Sequence, residues 1–138
     1  MNNLMGTIFT FTSAALAFLF GILYLTRRKF MNYHRMAVQK EWEELSPEIR
    51  TLITALMRAA SGGFLSVSLA LANLQLRFNH NHEHWIALTI LITGSILALG
   101  SLYAMILVST RTKGRPPIVP VLVIFILLIA GYFFNVSG

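Results

Sequence analysis

Four long apolar runs, at about residues 7–26, 47–76, 85–109 and 118–136, alternate with three polar segments. Within each run the apolar residues are continuous. Strands of a membrane barrel would instead alternate apolar and polar positions with period two, so the pattern predicts helices. Each run has about the length a helix needs to cross a hydrocarbon core of about 30 Å. Only helices and closed barrels satisfy every backbone N–H and C=O in lipid. The expected fold class is therefore all-α: an integral membrane four-helix bundle, one transmembrane domain over residues 1–138.

The first polar segment carries a pattern of its own. Met31, His34, Val38, Trp42 and Leu45 recur at steps of three and four, while Arg35, Lys40, Glu43 and Glu44 fall on the other face. This spacing predicts a short amphipathic helix over about residues 30–45, lying on the membrane surface. Tyr33, His34 and Trp42 are its expected interfacial anchors. Ser46-Pro47-Glu48 then restarts the chain: Ser suits an N-cap, Pro the first helical position, and Glu the positive end of the helix dipole. Arg58 and Arg77 stand about 28 Å apart along a helix and are expected to mark the two membrane boundaries of the second run.

Composition sharpens the membrane reading. The chain is 56% hydrophobic and 12% charged over 138 residues, about half the charged fraction of a soluble domain. A soluble chain of this length has no core large enough to hide four such runs. Cysteine is absent, which excludes a disulfide framework, a thiolate metal site and a cysteine nucleophile. The net charge of +6 does not indicate a nucleic-acid partner, because the basic residues sit at helix ends. Arg27, Arg28, Lys29, Arg35, Lys40 and Arg50 flank or fill the first loop, Arg111, Lys113 and Arg115 the third, and Arg77 alone the second. The positive-inside rule then predicts a multi-pass protein of the cell membrane, in a bacterium the inner membrane. Loops one and three are cytoplasmic, and both termini are outside with residues 78–84. The flank before the first run has no Lys or Arg and the basic cluster follows the run, the reverse of a cleavable signal.

Candidate chemistry is sparse. Arg58, Gly62, Ser66, Ala70 and Asn73 fall on one face of the second helix. They read either as a packing seam with a snorkelling arginine or as a lipid-headgroup site in which Arg58 forks an anion. Thr10, Ser13, Ala17, Gly21 and Tyr24 form a matching stripe on the first helix, and Thr89, Thr93, Gly100 and Tyr103 one on the third. Three weakly polar seams of this kind can pack together or enclose a narrow ligand pocket, with Thr93 and Tyr103 among its residues. The string Asn79-His80-Asn81-His82-Glu83-His84 offers His80, His82 and His84 as metal ligands: alternate residues share a face if the segment is extended. The same histidines equally suit a polar connector.

All five carboxylates lie in loops or at helix starts, which weighs against a proton-coupled carrier. No histidine pair lies inside the bundle to hold a haem, no phosphate-binding glycine loop occurs, and no cofactor is indicated. The string Ala55-Leu56-Met57-Arg58-Ala59-Ala60-Ser61-Gly62-Gly63, opening a membrane helix after a polar loop, resembles the DoxX-like group of small four-helix bacterial membrane proteins. That resemblance implies a compact four-helix fold, an association with redox or lipid-linked membrane processes, and bundle-shaping roles for Arg58, Gly62 and Gly63. The functional expectation is a non-enzymatic protein that binds a lipid or small apolar ligand, or an accessory subunit. Its partners would be membrane lipids, a membrane protein or a second copy. The alternatives are an enzyme acting on a lipid-soluble substrate through Arg58, His34 and Tyr33 or Tyr103, and a metal-handling protein using the histidine segment.

Overall fold

The apolar runs become four long helices in the computed structural model, which describes residues 2–137. In chain order these residues form α1 (Asn2–Thr26), α2 (Asn32–Val38), a 3-10 turn (Trp42–Glu44), α3 (Pro47–Asn81), α4 (His84–Arg111) and α5 (Ile118–Val136). The four long helices are long and apolar enough to cross a membrane. Ser46 caps α3, its Oγ accepting the Ile49 N–H at 3.4 Å, and Pro47 opens the helix where a missing N–H costs nothing.

The long helices form an up-and-down bundle. α1 packs along α3 and α5, and α4 closes the square by packing along the same two. Each helix turns one stripe inward at steps of three and four. On α1 the stripe is Thr10, Ser13, Ala14, Ala17, Gly21 and Tyr24. On α3 it is Met57, Ser61, Phe64, Ser68, Leu71, Gln75 and Phe78. α4 contributes Ile90, Gly94, Ala98, Leu102 and Met105, and α5 Val121, Ile124, Leu128, Gly131 and Asn135.

Small residues set how closely these stripes approach. Ser61 Oγ donates to Gly21 O at 2.9 Å, tying α3 to α1. A Cβ on Gly21 would come within 2.7 Å of the Leu65 side chain. At the α1–α5 crossing, a Cβ on Gly131 would lie 3.0 Å from Thr10 Oγ1 and 3.4 Å from Gly6 O. Ser13 Oγ donates to Phe9 O at 2.9 Å and also reaches Ile124 O at 3.4 Å across that crossing. The outward faces are the reverse: Ile96, Val119 and Ile126 are 70%, 70% and 62% exposed. The bundle thus encloses a few hydroxyls, amides and glycines within an apolar core and also displays branched aliphatic side chains outward.

Several expectations are corrected. The segment 30–45 is not one helix. It breaks at Gln39, whose left-handed backbone (φ 54, ψ 35) closes α2 through its N–H to Arg35 O, and Glu41 starts the separate 3-10 turn. Met31, His34, Val38, Trp42 and Leu45 therefore share no continuous stripe. Leu45 is buried, Trp42 stacks edge-on against Phe30 at 5.1 Å, and Val38 is exposed. The seam expected on α3 is shifted by one step, for Gly62, Ser66 and Asn73 face outward while Ser61, Phe64 and Ser68 face in. No atom lies within 4 Å of where a Cβ would stand on Gly62 or Gly63. Finally, the loop expected at 79–84 is mostly helix: α3 runs past Leu76 to Asn81, and only His82 and Glu83 join it to α4. His82 takes the left-handed conformation (φ 52) and its N–H bonds to Phe78 O at 2.8 Å, a common way to end a helix.

Candidate apolar cleft at the basic end of the bundle

Helix lengths explain why one end of the bundle is open. α3 has 35 residues, about 52 Å at the rise of an α-helix, against about 38 Å for the 25 of α1. α1 ends level with Arg58. The guanidinium there donates from Nη1 to Tyr24 O at 2.9 Å and from Nη2 to Arg27 O at 3.2 Å. Beyond that level the first three turns of α3 and the last turns of α4 have no α1 beside them. α2 lies across this gap, but the close helix pairings are all among the four long helices. The gap is thus incompletely filled.

The result is a lateral cleft of about 400 Å³. α3 lines it with Ile53, Leu56, Met57, Ala60 and Phe64, α4 with Ser101, Ala104, Met105 and Val108, α1 with Tyr24, and α2 with Tyr33, His34, Ala37 and Val38. Leu56, Ala60 and Ala104 are exposed and mark the mouth, between α3 and α4. The wall is almost wholly hydrocarbon. Its aromatic polar groups lie toward α2, and Ser101 adds one hydroxyl on α4. The hydroxyls of Tyr24 and Tyr33 are hydrogen-bonded to each other, and the Tyr33 and His34 rings touch, with centroids 4.0 Å apart.

His34 Nδ1 accepts the Met31 N–H at 3.2 Å. A nitrogen that accepts carries no proton, so the ring is the tautomer protonated at Nε2. Burial pushes the His34 pKa below its usual value, which keeps the imidazole neutral. Burial likewise pushes the Tyr33 phenol above its usual range, with the Tyr24 hydrogen bond acting the same way. Both groups therefore stay uncharged at neutral pH.

Ten of the eleven Lys and Arg side chains lie toward this end, with four of the five carboxylates. Lys29 pairs with Glu43, and Arg35 with Glu41 at 3.3 Å; both pairs are exposed. The third loop folds against α2: a Cβ on Gly114 would lie 2.9 Å from Tyr33 O and 3.0 Å from Ala37 Cβ.

The residues singled out from sequence scatter around this site. Tyr33 and His34, expected as headgroup anchors, line the cleft, whereas Trp42 lies outside it. Arg58 borders it, its guanidinium engaged by the two carbonyls at the end of α1. Gly62, Ser66 and Asn73 are exposed on the outer face of α3, Thr93 is half-buried on α4, and Tyr103 is 70% exposed. His80 sits in the last turn of α3, His82 is the helix cap and His84 opens α4. Among the described residues, no group of three or more His, Asp and Glu converges to hold a metal ion.

Sequence reasoning also missed the polar cluster at the opposite end. Gln75 and Asn135 are 0% and 3% exposed. Asn135 Nδ2 donates to Gln75 Oε1 at 3.0 Å, and Gln75 Nε2 donates to Asn79 Oδ1 at 2.9 Å, with Thr7 Oγ1 at 3.3 Å. Asn3 Oδ1 is buried nearby in sequence without a hydrogen-bond partner. The signal was present in the sequence: Gln75 falls on the Ser61–Ser68 stripe at a step of seven, and Asn135 interrupts an otherwise apolar helix end. No family model, curated protein or solved structure matches the chain.

Proposed function

We propose that the chain is a multi-pass membrane protein whose lateral cleft holds one apolar ligand carrying a small polar group. Membrane insertion is supported by the apolar outer faces of the four long helices, since a soluble monomer seldom displays so much large hydrophobic surface. Ligand holding rests on one observation above the rest. The cleft of about 400 Å³ falls in the size range of small-molecule sites, with hydrocarbon walls and few polar groups. Its mouth opens sideways between two apolar helices, the route by which a lipid-soluble molecule would enter from a bilayer.

Binding is favoured over catalysis because no carboxylate is among the lining residues. The titratable groups there are two tyrosines in a mutual hydrogen bond and a neutral histidine. Nothing in that set moves a proton near neutral pH as a matched acid and base would.

The test is gentle purification of the full chain followed by native mass spectrometry and lipid extraction. A stoichiometric small molecule is expected with the wild type. It should be lost from Ala60→Trp, which fills the mouth, without a fall in thermal stability. Equal recovery from wild type and variant would sink the cleft as its site. A bound polypeptide with no small molecule would favour an accessory subunit.

A further inference from the structure

The cleft's polar groups restrict what the ligand's head can be; the inference rests on the ligand-holding reading above. Between Tyr24 and Tyr33 one hydroxyl donates to the other, so the pair has one O–H proton left over. His34 has Nδ1 engaged by Met31 N–H, so its Nε2–H is its remaining polar group and is a donor. The cleft thus presents two uncommitted donors on adjacent rings at its α2 end. Its lining holds no charged group: the imidazole and both phenols are neutral, and the nearest cation, Arg58, stands outside the lining and donates to Tyr24 O and Arg27 O. An anionic head drawn into this wall would leave water for a lining with no charged group of its own, a large cost in an apolar site. An ammonium would meet hydroxyl lone pairs but no carboxylate.

We infer that the cleft selects a neutral hydrogen-bond acceptor, the carbonyl oxygen of a long-chain ketone or ester, seated on the Tyr24–Tyr33 pair and His34 with its chain running along α3 and α4 toward Ala60 and Ala104. Such a head would give both donors an acceptor.

Three radiolabelled probes test this with the full chain in nanodiscs: a dodecyl ketone, dodecane and dodecanoate. The ketone is expected to be held about fivefold more tightly than dodecane, the ratio one net hydrogen bond contributes, and dodecanoate no more tightly than dodecane. Tyr24→Phe/Tyr33→Phe should shrink the ketone's preference over dodecane, His34 remaining as a donor, while leaving dodecane retention unchanged, which also shows the cleft intact. Should the double variant lose dodecane as well, His34→Phe decides, because it removes a donor and keeps an aromatic ring; the ketone preference must then shrink. Equal retention of ketone and dodecane by the wild type, or tightest retention of dodecanoate, overturns the neutral-acceptor inference and leaves the ligand-holding reading standing. Retention of none of the three overturns both.

Discussion

The two ends of this bundle solve the same packing problem in opposite ways. At the end where α1 begins, α5 finishes and a two-residue link joins α3 to α4, the helices stop together. The space left is closed by Gln75, Asn79, Asn135 and Thr7 in a connected hydrogen-bond cluster. At the basic end α3 and α4 outrun α1, the seven residues of α2 are too few to replace it, and a cleft remains. A buried amide is tolerated in an apolar setting only when its partners reach it, which four co-terminating helices allow. Where two helices project alone, the lining is mostly hydrocarbon, and its few polar groups come from the end of α1, from α2 and from Ser101. Low packing, and with it room for a ligand, follows from unequal helix length.

The largest effect that would break this contrast is expected at the closed end. Gln75→Leu strands the buried Asn135 without its partner, and should lower stability in detergent by about 2 kcal/mol. Adding Asn135→Leu should recover part of that loss, since an apolar pair no longer leaves a buried donor unmet. A double variant as unstable as the sum of the singles would show that the amides act separately.

A smaller effect is expected where the open end begins. Arg58→Gln removes the positive charge from the carbonyl end of α1 and should cost about 1 kcal/mol. Arg58→Lys should restore only part of it, because an ammonium does not fork to two carbonyls as a guanidinium does. Identical melting of all three proteins would mean that the contacts to Tyr24 O and Arg27 O contribute nothing.

The smallest effect is a pH dependence confined to the cleft's covering helix. The folded protein holds the His34 pKa below its ordinary value of 6.5 by burial. Below that value the unfolded chain binds a proton that the fold resists, so unfolding becomes easier as pH falls. The contribution of the neutral ring is complete above about 6.5 and is lost as pH drops through the lower folded value. The melting temperature should fall over that window, and His34→Phe should flatten the slope; an unchanged slope would place the dependence elsewhere.

Much of the architecture was legible before any contact was known. Four continuous apolar runs with basic ends specify four long helices. The steps of three and four at Thr10, Ser13, Ala17, Gly21 and Tyr24 pick out the face of α1 that is buried. The same logic misplaced the face of α3. Glycine and serine occur on both its sides, and periodicity alone does not say whether Ser61 or Gly62 meets a neighbour. The histidine segment was misjudged because a left-handed cap at His82 lets α3 continue through His80, and no propensity at that position announces it. Tyr33 and His34 were noticed, as surface anchors or as working groups of an enzyme; their place in the cleft depends on α2 lying across the projecting ends of α3 and α4.

The sequence by itself determined the number of long helices, their order and their charge asymmetry, because these depend only on which residues avoid water and where the cations fall. Only the tertiary structure decided which stripe of each helix faces in, that Gln75 and Asn135 meet, and that a cleft lies between α2, α3 and α4. Those are relations between segments distant along the chain. They are fixed by how far each helix projects and how closely small residues let two backbones approach, and no single segment carries that information.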